Sequence, residues 1–322
     1  MLLSKPSKAD IISAHARIEP YINRTAVLSS QTLNSIFKAS LFFKCENFQK
    51  AGAFKSRGAV NVVFLLDAEF FKNGVCTHSS GNHAQALARA AKIRGIPSYI
   101  VMPTNAPKVK VSAVEEYGGQ ITFCEPNLKA REDTLKKVQE ETAAYEVHPY
   151  DNYDIIAAQA TAAKELFEES ESNLDILLCP VGGGGLLSGT ALAANYFSAG
   201  TKVIACEPQG ADDARQSFYQ GKIIPSVNPK TIADGLLTSL GKRNFPIIKE
   251  YVSDIITVSE ESIMEAMRLI YERMKIVIEP SSAVPLAAIL ENKVDVENKN
   301  VGIIISGGNV DLNDLPFGKD KI

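Results

Sequence analysis

The chain has no tryptophan, only four histidines, and five cysteines (Cys45, Cys76, Cys124, Cys179 and Cys206) that form no CxxC pair. His15, His78, His83 and His148 show no metal-ligand spacing relative to one another. Thiols that are odd in number and scattered, three of them inside apolar strand-like runs, read as free buried cysteines of a reducing compartment. No apolar run reaches the roughly 20 residues of a membrane span, and the N-terminal MLLSKPSKAD lacks the apolar centre of a signal peptide. Charge of one sign is also missing, since 34 Lys and Arg face 37 Asp and Glu for a net charge of −3. That balance speaks against an electrostatic grip on nucleic acid. These absences leave a soluble cytoplasmic protein whose partner is a small molecule.

At 322 residues the chain is long for one core, and two domains are expected. No internal repeat, low-complexity tract or long Pro/Gly/Ser linker interrupts it. Apolar strand-like runs alternate with helical patterns, which points to an α/β architecture with mainly parallel sheet. The block GVCTHSS, NHAQALARAAKIRG, IPSYIVMP, APKVKVSAVEEYGG, ITFCEP and LKAREDTLKKVQEETAAY alternates most regularly and can bury a sheet of its own. Residues 72–149 therefore read as a small domain inserted into a large one made of 1–71 and 150–322. A cleft between two such domains is a natural ligand site.

Four stretches could carry chemistry. VGGGGLLSG, residues 181–189, sets four glycines between a buried strand and a helix, so backbone N–H groups and a helix N-terminus can meet a phosphate. Glu207, at the end of the next strand, stands about where a dinucleotide-binding fold keeps its ribose acid, which makes a nicotinamide oxidoreductase a rival. The glycines do not fit G-x-G-x-x-G, because Ser188 holds its last glycine position. In SSGNHAQA, residues 79–86, one serine can cap a helix, but capping does not explain the whole cluster. IISGGNVD, residues 304–311, ends a strand with Ser306 and two glycines, and ligands of open α/β sheets sit at such carboxyl ends. GAFKSRGA, residues 52–59, sets Lys55 among small residues. Beside a phosphate loop, Lys55 is either an electrostatic clamp or an amine that bonds an aldehyde cofactor such as pyridoxal phosphate.

Together and in this order, these four stretches resemble the fold-type II pyridoxal-phosphate enzymes along residues 10–312. LFFKCENFQKAGAFK, ACEPQGADDARQS, TIADGL and ERMKIVIEPSSA resemble the racemase and serine/threonine dehydratase branch of that family. The resemblance implies two open, twisted, mainly parallel sheets flanked by helices, with the active site in the cleft. By it, Lys55 bonds the cofactor, Phe54 and Asn82 contact its ring and 3′-oxygen, Gly182, Gly183, Gly184, Gly185 and Leu186 hold its phosphate, and Ser306 meets the pyridine nitrogen. A serine there need not keep that nitrogen protonated, so the ring is a weaker electron sink.

The activity implied is interconversion of L- and D-serine by two bases, Lys55 on one face of the substrate and Ser80 on the other. Loss of the β-hydroxyl to give pyruvate and ammonia would accompany it. An alternative within the family is a dehydratase of threonine, serine or 3-hydroxyaspartate without racemisation. The substrate carboxylate is expected among Ser79, Ser80, Gly81, Asn82 and His83, with Arg131 closing over it. Glu207, the Ala211 carbonyl and Asp213 match a site for Mg²⁺, or Ca²⁺ or Mn²⁺. Lys50, Tyr117 and Asn309 match an ATP effector site at a homodimer interface. One departure stands out: relatives commonly carry G-Q-G-T where this chain has Ala158, Gln159, Ala160 and Thr161.

Overall fold

Capping residues mark where the periodic stretches begin. In a computed structural model, which describes residues 1–79, 81–106, 108–170 and 173–317, Ser7 opens α1 (Lys8–Ile18) with a reciprocal capping box to Asp10. There follow β1 (Val27–Leu28), α2 (Gln31–Phe37) behind its Ser30 cap, β2 (Ser40–Cys45) and α3 (Lys55–Leu65). The middle of the chain alternates without exception through β3 (Val75–His78), α4 (Asn82–Arg94), β4 (Ser98–Pro103), α5 (Lys108–Glu116), β5 (Gln120–Cys124), α6 (Leu128–Thr142) and β6 (Tyr145–Glu146). The last part runs α7 (Tyr153–Glu169), β7 (Ile176–Pro180), α8 (Gly185–Phe197), β8 (Lys202–Pro208), α9 (Asp213–Gln220), α10 (Asn244–Tyr251), β9 (Asp254–Val258), α11 (Glu260–Met274), α12 (Pro280–Leu290) and β10 (Asn300–Ile305). All five cysteines are free and buried. Among the described residues no helix is long and apolar enough to cross a membrane.

The strands form two sheets. The larger has the order β1-β2-β10-β7-β8-β9 and is parallel except for the β1–β2 pair; the smaller, β5-β4-β3-β6, is parallel throughout. Parallel strands covered on both faces need apolar residues at every position, as β7 shows with five buried residues in succession. Leu177 and Cys179 turn to one face, against Ile156 of α7 and Leu187 of α8. Leu178 turns to the other, with Met267 of α11 and Ala287 of α12.

Register decides what the larger sheet presents. Cys45 pairs with Ile305, Leu178 with Ile303, and Pro180 with Cys206, so the carboxyl ends of β2, β10, β7 and β8 lie side by side. The loop leaving β2 leads to Lys55 at the start of α3, those leaving β10 and β7 carry Ser306 and the glycines, and Glu207 stands at the end of β8 itself. The first two loops are stitched together: Phe54 N–H donates to Ser306 O at 3.0 Å, and Gly308 N–H donates to Gly52 O at 2.9 Å. Gly52 is required there, because it takes φ 67° and a Cβ would come within 2.3 Å of Asn309 Oδ1.

Helix α3 has no side-chain cap at Phe54, so its start is fixed from below instead. Arg57, fully buried, donates to both carboxylate oxygens of Glu46 at 2.7 Å, to both of Glu165 at 2.6 and 2.8 Å, and to Thr161 Oγ1 at 3.0 Å. Lys44, also buried, adds an ion pair to Glu165 at 2.8 Å. Burial alone would raise the Glu165 carboxyl, but hydrogen bonds from His15 and Arg57 and the charges of Arg57 and Lys44 hold it well below its ordinary range. Arg57→Met leaves two buried carboxylates without their main partner and should lower stability by about 3–5 kcal/mol in urea unfolding. Because the Glu165 pKa is depressed on folding, its contribution is present above its unfolded value and fades as pH falls below it. Glu165→Gln should therefore flatten the acid limb of the stability curve; an unchanged limb would show that the network does not set it.

Candidate active site

Lys55 is the first residue of α3, and its amine hangs over the joined loops. Nζ donates to Pro149 O at 2.8 Å and lies 5.1 Å from the centre of the Phe54 ring and 5.9 Å from that of Tyr150. No carboxylate lies within ion-pair distance of it among the described residues. Burial lowers its pKa to about 8, against an opposing pull from the Glu279 carboxylate. An amine held by a carbonyl and two aromatic rings deprotonates more easily than one held by an acid, which favours the reactive reading over the clamp.

The Pro149 carbonyl belongs to a turn that ends just before α7. His148 Nδ1 accepts from the N–H groups of Tyr150 at 3.3 Å and Asp151 at 2.8 Å and so shapes the turn. Accepting at Nδ1 requires a neutral ring, and burial does lower the His148 pKa, to about 4. The Tyr150 ring lies against the glycine loop, where a Cβ on Gly183 would meet it at 2.4 Å. Gly184 takes φ 92° ahead of α8. The N–H groups of Gly182, Gly183, Gly184, Gly185 and Leu186 have no hydrogen-bond acceptor among the described residues. Five free donors around a helix N-terminus fit a phosphate.

Ser306 Oγ is 3.0 Å from Ser282 Oγ, which itself bonds the Gly307 main chain. The Ser306 hydroxyl can donate to an unprotonated ring nitrogen when Ser282 turns its one proton from Gly307 O to Ser306 Oγ. Asn82 opens α4, donating Nδ2 to both Glu279 oxygens at 3.0 and 2.9 Å while its Oδ1 accepts from Asn309 at 2.9 Å. The Glu279 carboxyl is raised to about 7 by burial and by the nearby charge of Asp234. Phosphate donors, a ring-nitrogen partner and an amine to capture an aldehyde thus surround one cleft, and these groups fit pyridoxal phosphate.

Ser79 and Gly81 lie at the end of β3 facing this cleft, and Ser80 lies outside the described residues. The His83 ring is buried and gives its Nε2–H to Val147 O at 2.9 Å. Its pKa falls to about 3 through burial first and the Lys55 charge second, so the ring is neutral. Its Nδ1 is therefore a lone pair that cannot donate to a carboxylate; the N–H groups of Asn82 and His83, which have no acceptor among the described residues, could serve one, whereas Ala84 N–H is spent on Gly81 O. Arg131, in the first turn of α6, adds its charge to burial in lowering the His78 pKa, which sets it beside the β3 end; its buried Nε has no partner among the described residues.

Around Glu207, burial dominates. Its carboxylate accepts from the N–H groups of Ala214 at 2.9 Å and Arg215 at 3.0 Å, capping α9. Burial raises Glu207 to about 9 and Asp213 to about 6, and Asp213 Oδ2 is buried without a partner among the described residues. Ala211 and Asp213 line a cleft of about 230 Å³. The orphaned Asp213 oxygen could meet a hard divalent cation in that cleft; Glu207 is not part of its lining and could join only through lone pairs left over from its bonds to α9. Of the effector residues, Lys50 is exposed and Asn309 Nδ2 also bonds Ala51 O at 2.8 Å. Tyr117, just past the end of α5, packs against the cluster around α3 and α4, and no described contact joins it to the other two.

The sequence reading passed over Pro149, Tyr150, Glu279 and Ser282 as site residues. Glu279 and Ser282 lie within EPSSA, a stretch noted only for its likeness to relatives. Pro149 contributes a main-chain atom, which leaves no mark in a sequence.

Comparison with known proteins agrees with this geometry. A family model described as pyridoxal-phosphate dependent enzyme matches residues 18–307. A β-hydroxyaspartate dehydratase of Paracoccus denitrificans is 51% identical over 97% of this chain and 99% of its own length. A serine racemase of Dictyostelium discoideum is 52% identical over 95% of each. The solved structure of maize serine racemase, 46% identical, superposes with a TM-score of 0.93 and covers 97% of this chain and 95% of its own. The chain therefore belongs to the pyridoxal-phosphate-dependent enzymes, as its four strand-end stretches imply.

Proposed function

We propose that the protein acts on small β-hydroxy amino acids, racemising serine and removing water from it to give pyruvate and ammonia. The observation that carries this reading is the Lys55 amine, held without a counter-ion at the meeting of the phosphate loop, Ser306 and the start of α4. When bound, pyridoxal phosphate withdraws electrons from the substrate's α-carbon and so acidifies its C–H bond. Lys55 anchors the cofactor and, once released, moves a proton on one face of Cα. Ser80, next to Ser79 at the β3 end, serves the opposite face. The first-turn N–H groups of α4 take the substrate carboxylate, and Arg131 adds the positive charge. The division into 1–71 with 150–322 as large domain and 72–149 as small domain is supported by the separate sheets that the two stretches build.

A second reading is dehydration of 3-hydroxyaspartate, supported by the β-hydroxyaspartate dehydratase relative, which is as similar as the racemases. Mg²⁺ at Glu207, the Ala211 carbonyl and Asp213 would brace α9. ATP at Lys50, Tyr117 and Asn309 of a homodimer is the proposed effector arrangement; exposed Phe48 and Val277, joined through the Asn47 bond to Val277 O, support an interface there.

Chiral analysis of products from L-serine, with 3-hydroxyaspartate assayed in parallel, tests the function. D-Serine together with pyruvate is expected; pyruvate alone, or turnover of hydroxyaspartate only, refutes the racemase reading. The purified protein should absorb at the violet edge of the visible, and Lys55→Ala should abolish that band. Capture of the cofactor by apoprotein should quicken about tenfold per pH unit up to about 8 and then level off, as free amine replaces ammonium. Ser80→Ala should cost racemisation about 100-fold while elimination of L-serine falls far less; equal losses would refute the two-face assignment. Mg²⁺ should raise the thermal midpoint by about 2–4 °C in the parent and leave Glu207→Gln unmoved.

A further inference from the structure

Behind the glycine loop, α10 begins with Asn244, a completely buried amide. Its Nδ2 donates to Gly183 O at 2.9 Å and to Tyr150 O at 3.2 Å. Its Oδ1 is buried with no partner among the described residues. Turning the amide over would press that oxygen against two carbonyl oxygens, so its surroundings fix its orientation. A buried oxygen left unsatisfied is unfavourable, and its retention points to a task for the nitrogen.

That task is at Gly183. The Gly183 carbonyl accepts a second hydrogen bond, from Gly241 N–H at 3.1 Å, so both of its lone pairs are engaged. In a planar trans peptide the carbonyl of one residue and the N–H of the next point in opposite directions. Anchoring Gly183 O toward α10 therefore turns Gly184 N–H away from α10, and that N–H, like the others of the loop, has no acceptor among the described residues. Glycine at 183 and 184 offers little resistance to rotation of this peptide plane. Without the anchor, the plane could turn over and present a carbonyl oxygen to the phosphate.

We infer that Asn244 is a positioning residue for the cofactor's phosphate, acting through the Gly183–Gly184 peptide. The inference rests on reading residues 182–186 as the phosphate cradle. Asn244 touches neither substrate nor cofactor; it fixes the direction of one N–H donor. It also ties the cradle to the main chain of Tyr150, next to the Pro149 carbonyl that receives the Lys55 amine.

The test compares two aldehydes that both reach Lys55, pyridoxal phosphate and pyridoxal, titrated into apoprotein and followed by visible absorbance. Asn244→Asp, nearly isosteric, and Asn244→Leu, which loses the donor without adding a charge that would itself repel a phosphate, should both weaken pyridoxal phosphate about 10- to 100-fold and pyridoxal less than about threefold; weakening by the aspartate alone would be charge repulsion and overturns the inference. Equal weakening of both, or an unchanged affinity for pyridoxal phosphate, overturns the inference. If neither variant folds, Asn244→Ala, which leaves room for a water, is titrated in their place and should show the same preference at smaller size. A second readout needs no variant: in glycine-labelled wild-type protein, pyridoxal phosphate should move the Gly184 amide proton downfield and pyridoxal should not. A Gly184 amide indifferent to both overturns the assignment even if Asn244→Asp binds poorly. A wild-type protein that takes up pyridoxal and pyridoxal phosphate equally well overturns the reading of the cradle itself, a different result from selective failure of the variant.

Discussion

A guanidinium buried between two carboxylates fixes the rest of the site. Helix α3 begins without a side-chain cap, so nothing local decides where its first turn lies. Arg57, two residues beyond Lys55, joins that turn to Glu46 at the end of β2 and to Glu165 on α7. Lys44 balances the second acid, giving two cations and two anions in full burial. Such a cluster gains little over well-packed apolar residues in stability. What it gives is direction: five charge-assisted hydrogen bonds from one planar group allow α3 one position relative to sheet and helix layer. The reactive amine takes its place from that geometry.

The cleft above follows the opposite rule, with charge kept low wherever the amine must react. Lys55 faces a carbonyl, His83 and His148 are neutral, and Glu279 is raised toward neutrality. An ion-paired lysine would stay protonated well above neutral pH, whereas a carbonyl partner leaves burial free to lower its pKa. Glu279 works against this, since its negative charge favours the ammonium form. Near pH 7–8 the two groups therefore influence each other, with loss of the Glu279 charge easing deprotonation of Lys55.

The parts of this arrangement that were legible in the sequence are those that leave a compositional mark. Four glycines after an apolar run, a Ser-Ser-Gly-Asn-His cluster and a Ser-Gly-Gly end each fall at a strand's carboxyl end; the first and last end neighbouring strands of the larger sheet, whereas the cluster follows β3 of the smaller one. Strand β6 was not legible, because two residues show no period. The state of the His83 ring was not legible either: which nitrogen is spent, and on what, depends on Val147, 64 residues further along the chain. Asn309 matched an effector position by resemblance, yet its side chain bonds Ala51 and Asn82 inside the cleft wall. Long-range partners of this kind are set by tertiary approach and not by neighbours in the chain.

The replacement of two glycines by Ala158 and Ala160 takes its meaning from the same approach. Both methyl groups are buried in the helix layer, Ala158 with the residues packed around α3 and α4, Ala160 against α8. At that crossing a Cβ on Gly189 would come within 2.6 Å of the Ala160 nitrogen, so α7 and α8 are already at closest approach. At this crossing α8 carries a glycine and α7 carries alanines. The turn carrying the Lys55 acceptor lies just ahead of α7, and the phosphate loop lies just ahead of α8. The spacing between the amine's acceptor and the phosphate cradle is thus set by two helices packed below the site. Alanine on α7 stiffens one side of that pair without entering the cleft. Ala158 and Ala160 thus belong to the helix packing beneath the site, and their methyl groups act on the distance between the Pro149 turn and the glycine loop.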